Sequence, residues 1–353
     1  MNYIGSKLSL LEFLDKGIHK IASRKNQVFC DLFSGTGVVG AYFKKQGYKI
    51  IANDIQYYSY VLTRHYVGNS EDLKFLNLTD KALDIKRVNL ADRAKVVICY
   101  LDNLEGVEGF IYKNYCPAGT NKKEFKRMYF TNDNGKKCDA IRIKIEEWKN
   151  KKYINEDEYF FLLASLLESI DKHANTASVY GAFLKSFKKS AMKEFILEPA
   201  DLIKNGSGHK IYNQDINKLI REIKGDILYL DPPYNHRQYS ANYHVLETIA
   251  KYDNPTLYGK TGLRECEAQK SFYCQKSKVL ETFEDLIMNA DMKYIFLSYN
   301  NEGLMSEKEV KNIMSKRGRY GLLKKKYRRF KADNGRDYKA QKTVEYLHYV
   351  ICK

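Results

Sequence analysis

The sequence predicts an α/β protein built on a doubly wound, mostly parallel sheet, closed by a C-terminal antiparallel strand pair and interrupted by a long insertion. Three observations predict it. Short apolar runs alternate with helix-like stretches at both ends of the chain. The earlier runs finish on carboxylate or amide residues, as strands do at a ligand-binding edge. Between about residues 67 and 205 the alternation fades.

Taken in order, Val28-Phe29-Cys30 is an apolar run that ends at Asp31 and enters a glycine-rich turn. A helix is expected from Val38 to Gln46, stopped by Gly47 in the capping position. A second run, Lys49 to Ala52, ends at Asn53-Asp54 and completes a βαβ unit of ordinary dimensions. Residues 113–152 then hold 12 basic and 5 acidic side chains, with Gly, Asn and Lys breaking any long periodicity. An amphipathic helix follows over Glu156–His173, capped by Asn155, with Phe160, Leu163, Leu167 and Ile170 on one face. The α/β pattern resumes with a short strand at 210–214, Asp215, a helix to Ile223, and a buried strand Asp226–Leu230 that ends on Asp231. Another run, Tyr294–Leu297, ends at Ser298-Tyr299-Asn300, and two strand-like pieces, Leu322–Phe330 and Val344–Cys352, close the chain. The simplest organisation is one sheet domain, 1–66 and 206–353, interrupted by an inserted domain, 67–205.

Composition narrows the function classes. At 353 residues the chain is long enough for two domains of roughly 150 residues each, and 44% apolar positions suffice for a core. No run approaches the ~18 uninterrupted apolar residues of a membrane span, and Met1 to Lys7 lacks the layout of a secretion signal. A soluble protein of the cell interior, without membrane attachment, is expected. The 60 Lys and Arg exceed the 43 Asp and Glu to give +17, an excess that raises encounter rates with nucleic acid. Aromatic residues, 29 Tyr and 17 Phe among them, suit a surface that holds bases as well as phosphates. A lysine-rich solvated face accounts for the same charge balance. The 7 cysteines form no Cys-x-x-Cys pair, which argues against a disulfide framework and against a zinc site. Core packing is the default for Cys30 and Cys99, and no metal is expected.

Gly35-Thr36-Gly37-Val38-Val39-Gly40 is a G-x-G-x-x-G that follows a strand and opens a helix, so the backbone can turn sharply and approach a ligand. Asp54, at the end of the next strand, can accept both hydroxyls of an adenosine ribose. A nicotinamide dinucleotide fits the glycines equally well. Asp31 speaks against it, since a carboxylate at the mouth of a pyrophosphate site repels the ligand, whereas it suits a cationic amine. A loop acid and a tight structural turn are the plainer readings.

Asp231-Pro232-Pro233-Tyr234 carries the most information. Only 5 prolines exist in the chain, and two stand consecutively at the carboxyl end of a buried strand, the edge where open α/β sheets bind ligands. They fix φ and remove two N–H donors, leaving carbonyl acceptors beside a carboxylate. Such a cluster accepts hydrogen bonds from an exocyclic amine and pushes its nitrogen towards a tetrahedral nucleophile, while Tyr234 stacks on the ring. A base reaches such a corner only by leaving the duplex. Extrusion costs a few kcal/mol and stacking returns about 1–3 kcal/mol, so backbone contacts from basic regions must tip the balance. Residues 311–331 hold ten basic and no acidic side chains, Lys324-Lys325-Lys326 and Arg328-Arg329 among them, and are read as phosphate contacts.

At these residues the sequence resembles the amino-methylating, S-adenosylmethionine-dependent DNA methyltransferases, a Rossmann-like fold. The motif order is that of the alpha class, which includes the Dam-like adenine methylases and restriction–modification methylases. The resemblance spans about 1–66 and 208–353. It implies that Asp31-Leu32-Phe33-Ser34-Gly35-Thr36-Gly37 is the cofactor motif, with Phe33 packing near the cofactor. It implies Asp54 as the ribose ligand and Asp215 as the acid on the adenine amine. Taken alone, Asp215 is a helix N-cap. Tyr3-Ile4-Gly5-Ser6-Lys7 is similar to the family's extra N-terminal motif beside the methionine moiety, with Tyr3 and Lys7 as binding residues; by itself Gly5-Ser6 is a helix start. Asp231 through Tyr234 corresponds to the catalytic tetrapeptide, and its first-place Asp resembles the adenine-modifying members. Carbon methylation of cytosine would need a thiolate, typically in a Pro-Cys pair, and the chain has none. The implied function is methyl transfer from S-adenosylmethionine to the N6 amine of a flipped adenine in double-stranded DNA, with a cognate restriction endonuclease as functional partner and the insertion as target-recognition domain. The same chemistry on ribosomal RNA is the alternative.

Overall fold

The apolar runs fold as strands, and the parallel ones bring their carboxyl ends to one edge. Among the residues that the computed structural model describes (3–23, 25, 27–78, 83, 85–328 and 342–353), seven strands form one sheet. These are β1 (Val28–Asp31), β2 (Lys49–Asn53), β3 (Lys210–Tyr212), β4 (Lys224–Leu230), β5 (Asp291–Asn300), β6 (Gly318–Arg328) and β7 (Lys342–Cys352). Their spatial order is β3-β2-β1-β4-β5-β7-β6. β1 to β5 pair in parallel, and β7 runs antiparallel to both β5 and β6. This is the mostly parallel, Rossmann-like architecture expected of a methyltransferase, with its antiparallel pair at the C-terminus. The chain leaves β1 for β2 and β3 on one side and returns to β4 on the other. The strand order therefore reverses between β1 and β4, where ligands bind in open α/β sheets.

Alternation along the strands explains the two covered faces. Cys30, Leu32, Leu228 and Leu230 join a buried cluster with Leu219, Phe283, Leu286, Val310 and Met314 from the helices Ile216–Leu219, Val279–Met288 and Glu307–Met314. Phe29, one residue out of phase, stacks on Phe43 of the helix Val38–Lys45 at 4.1 Å between centroids. On the antiparallel end, Gly17 of the helix Leu11–Ile21 lies where a Cβ would come within 2.7 Å of Leu347 Cδ2 and 3.1 Å of Leu323 Cδ1, so glycine there permits close helix–sheet approach. Cys30 is buried as expected. Cys99 is exposed, contrary to the expected core position, because Val97, Ile98 and Leu101 take the buried face of its helix Leu90–Asp102.

The sheet belongs to a unit comprising Gly5–Thr63, Asn205–Tyr239 and Glu267–Lys353; a second unit comprises Met1–Ile4, Arg64–Lys204 and Ser240–Cys266. The second unit holds the expected helix, Glu156–Lys172, with a complete Asn155/Glu158 capping box. It also holds a 19-residue helix, Asn132–Asn150, inside the stretch expected to lack long periodicity. That helix buries polar side chains. Asp139 accepts from the backbone N–H groups of Ile111 and Tyr112 at 2.9 and 2.8 Å. Arg142 donates to the carbonyls of Ile249 and Ala250 at 3.0 and 3.1 Å, satisfying the end of the helix His244–Lys251. Arg127 donates to the carbonyls of Gly259 and Lys260. These bonds fasten Ser240–Cys266, which the sequence pattern assigns to the sheet domain, into the second unit. Among the described residues no helix is long and apolar enough to cross a membrane.

Candidate active site

β1 delivers Asp31 to the switch point, and β4 delivers Asp231 one residue beyond its last strand position. The glycine turn between β1 and the next helix is held by its own sequence. Ser34 Oγ donates to the Asp31 carbonyl at 2.7 Å, and Gly37 caps the helix at φ +76°, a left-handed conformation that glycine adopts without steric cost. A Cβ at Gly37 would also meet Thr63 Oγ1 at 3.3 Å. Thr36 lies between the two positive-φ glycines. Asp54, just past β2, accepts from Gly35 N at 2.8 Å and from Gln56 N at 2.9 Å, which fixes its carboxylate against the turn.

Asp31 is buried, and its Oδ2 accepts from Gly40 N at 3.0 Å while Oδ1 is buried without a hydrogen-bond partner. Burial pushes its carboxyl up to about 8, with Asp231 and Asp54 acting in the same direction. Phe33 meets Tyr273 edge to face at 5.0 Å. Tyr273 belongs to a segment that sequence reasoning missed. Its neighbour Ser271 exchanges two hydrogen bonds with Gln238, 2.8 and 3.0 Å, and Gln56 donates to the Gln269 carbonyl at 3.0 Å. The segment thus ties the loop after β2 to the loop after the tetrapeptide. Asp215 caps the helix Ile216–Leu219, accepting from Asn217 N at 3.0 Å and Lys218 N at 3.1 Å.

The tetrapeptide corner is built from four distant parts of the chain. Tyr234 donates its hydroxyl to Asp231 Oδ1 at 2.7 Å, and its carbonyl is held by Leu304 N at 3.0 Å. Its ring stands edge to face with Tyr299 at 5.2 Å. Pro232 is buried and Pro233 half-buried. Lys7, 4% exposed, brings Nζ to 3.2 Å from Asp231 Oδ1 and 3.0 Å from Glu345 Oε1, and donates to the Tyr234 hydroxyl. Burial pushes the Asp231 carboxyl up to about 6; Lys7 opposes the shift and Glu345 adds to it. Glu345 on β7 and Ser298 on β5, which donates to Glu345 Oε1, are site residues that the sequence pattern does not single out. The available signal was a carboxylate two residues before Leu347, in phase with the core face of an apolar strand.

Lys7 therefore stands at the tetrapeptide. Tyr3, from the same N-terminal motif, stacks on Tyr243 of the second unit at 4.7 Å. Of the basic tract 311–331, residues 329–331 lie outside the described residues. Lys316 pairs with Glu284 and Lys324 with Glu307, while Lys311, Arg319 and Lys326 are exposed. Tyr180 is buried. Among the described residues no group of His, Cys, Asp and Glu is arranged to hold a metal ion.

Over residues 3–313 the chain matches the family model of the D12 class N6 adenine-specific DNA methyltransferases. It is 53% identical over 352 residues to the Type II methyltransferase M.NlaIII of Neisseria lactamica, covering 99% of this chain and 98% of that one. It is 40% identical over 356 residues to the Type II methyltransferase M.FokI of Planomicrobium okeanokoites, where it spans 99% of this chain but 52% of the relative, about half its length. To the Type II methyltransferase M.CviAII of Paramecium bursaria Chlorella virus 1 it is 34% identical over 336 residues, 94% of this chain and 93% of that one.

Proposed function

The chain belongs to the D12 class of N6 adenine-specific DNA methyltransferases, and from that premise we propose that Asp231, Pro232, Pro233 and Tyr234 grip the target adenine while the β1–β2 edge holds S-adenosylmethionine. The enzyme methylates the N6 amine of adenine in DNA; ribosomal RNA is not the favoured substrate. The observation that carries the site assignment is the half-buried acceptor corner beside the strand-order switch, where Asp231 and the Tyr234 hydroxyl meet.

The residues at the switch fit the methyl donor. Asp31 has a buried oxygen without a partner, and a cationic amine placed on it would satisfy that atom and draw the carboxyl back to its ionised form. The Gly35–Gly37 turn brings backbone close to a ligand, with Ser34 and Thr36 completing it. A carboxylate accepts about four hydrogen bonds, so Asp54 anchors the turn and still serves the ribose hydroxyls. Phe33 supplies an apolar wall, and Asp215 is assigned to the adenine amine. Tyr3 stays in the set on its motif alone. When bound, S-adenosylmethionine supplies an electrophilic methyl group.

Asp231 and the Pro232 carbonyl orient the amine, and Tyr234 stacks on the everted base. Asp231 stabilises positive charge growing on N6, and proton loss accompanies or follows transfer, since an Asp beside an ammonium is a weak base. The second unit is assigned target recognition in duplex DNA. The Type II relatives support a role in restriction–modification; a cognate endonuclease as functional partner and a cytoplasmic, nucleoid-associated location are part of the same proposal. Mapping methylated bases in genomic DNA from cells expressing the chain tests this reading. N6-methyladenine at one recurrent sequence is expected; no new methylated adenine, or methylation confined to ribosomal RNA, refutes it.

A further inference from the structure

We propose that Glu345 is a positioning residue that parks the Lys7 ammonium, releasing Asp231 and Tyr234 to receive the adenine amine. The inference rests on the reading of Asp231 as the amine's acceptor. Lys7 Nζ lies 3.2 Å from Asp231 Oδ1 and donates to the Tyr234 hydroxyl. In this state the ammonium occupies the acceptor that the substrate N–H groups need. Lys7 and the Tyr234 hydroxyl already converge on Oδ1, so an amine donor approaching that oxygen binds most strongly when Lys7 withdraws from it. A buried ammonium withdraws only to another acceptor, because leaving it unpaired carries the full desolvation cost.

Glu345 provides that acceptor within reach of the same ammonium. Its Oε1 already lies 3.0 Å from Nζ and accepts from Ser298 Oγ. Its Oε2 is buried and has no hydrogen-bond partner, although the whole residue is 0% exposed. A carboxyl group with one vacant buried oxygen and the other shared between a lysine and a serine is costly to keep for stability alone. A second ammonium hydrogen satisfies it once Lys7 leaves Asp231. The charged and titratable groups around Asp231 are Lys7 from the N-terminal motif, Glu345 from β7, Tyr229 from β4, Tyr234 from the tetrapeptide and Asp31 from β1. Among them Glu345 is the group that both repels the Asp231 charge and holds Lys7.

The test is Glu345→Gln in the full chain, with methyl transfer to a duplex bearing one target site measured against pH. With no carboxylate to retreat to, Lys7 stays on Asp231 and competes with the base. KM for DNA is expected to rise and kcat/KM to fall by about tenfold to a hundredfold. The acid limb of the kcat/KM profile should move to lower pH, since one negative neighbour is gone and Lys7 sits closer to Asp231. Adding Lys7→Met removes the competing ammonium, so the double variant should recover part of the lost kcat/KM. It also removes the buried pair together, which keeps the test open if Glu345→Gln alone does not fold. An unmoved acid limb in Glu345→Gln, or a double variant no better than the single one, overturns the proposal. Asp231→Ala in the same assay separates the two readings. Turnover surviving Asp231→Ala defeats the amine-acceptor assignment itself, whereas its loss together with an unmoved limb in Glu345→Gln defeats the Glu345 assignment alone.

Discussion

Replacing Asp231 by Asn keeps the side-chain shape and removes the charge at the proposed amine acceptor. In the folded corner that carboxylate receives the Tyr234 hydroxyl at 2.7 Å and lies 3.2 Å from Lys7 Nζ. A hydrogen bond to a charged acceptor contributes about 1.5–3 kcal/mol. A preorganised group facing charge that develops in the transition state contributes about 2.7–4 kcal/mol. Both figures describe one contact and are not summed; the second includes the chemical step and governs kcat. The expected loss is therefore about 10²- to 10³-fold in kcat. Stability should change far less, because two effects oppose each other. Asn abolishes the burial penalty that pushes the carboxyl up to about 6, while Lys7 loses one carboxylate and keeps Glu345. The assay is single-turnover transfer of a tritiated methyl group at pH 7.5, with methyl-donor and DNA binding measured separately. A single-turnover rate within about threefold of the parent, or a loss that lies wholly in donor binding, refutes the assignment.

The same carboxyl predicts that kcat/KM rises with pH through about 6, as Asp231 ionises to accept the amine; a flat profile from pH 5 to 8 counts against it. Asp31 predicts a stability effect of definite sign. Its folded value, about 8, lies above the ordinary ~3.9, so the folded state binds the proton more tightly. Its contribution is fully present below about pH 3.9 and is lost as pH rises through 8. Thermal melts of the ligand-free protein from pH 5 to 9 should therefore fall less steeply in Asp31→Asn, and equal slopes would show that Asp31 titrates normally. Salt dependence reports on the basic tract. Gln at both Arg319 and Lys326, exposed in the structure, should each lower the slope of log K against log salt by about one, and an unchanged slope removes them from the phosphate contacts.

The sheet and the tetrapeptide were legible because their causes are local. Apolar runs ending in Asp31, Asn53-Asp54 and Asp231 declare strand ends, and two adjacent prolines after Leu230 exclude continuation of the strand. The helix Asn132–Asn150 was illegible for the opposite reason. Its buried face includes Asn134, Asp139 and Arg142, whose partners include the backbone of residues 111–112, 191, 193, 195 and 249–250 and the Tyr252 hydroxyl, so polar side chains interrupt its hydrophobic period. The attachment of Ser240–Cys266 to the second unit is likewise made by Arg127 and Arg142 through carbonyls that any sequence supplies. Glu345 is 338 positions from Lys7. Its strand phase says that it faces inward, but only the fold says what it meets there.

That long-range pairing bears on why the corner holds two carboxylates when one accepts the amine. A lone Asp231 beside Lys7 would form a neutral pair, and an entering neutral amine would gain little by displacing the ammonium. With Glu345 present, two acids face a single ammonium, an excess of negative charge that shows in the raised Asp231 carboxyl. The surplus stays beside the amine position whichever carboxylate Lys7 favours. Methyl transfer places positive charge on N6 until its proton departs, so a corner with that excess of negative charge favours the transition state over the bound base. The cost appears in the resting protein, where burial and Glu345 raise Asp231 to about 6. That value still leaves the carboxylate ionised at neutral pH, so the repulsion that makes the corner an acceptor does not neutralise it.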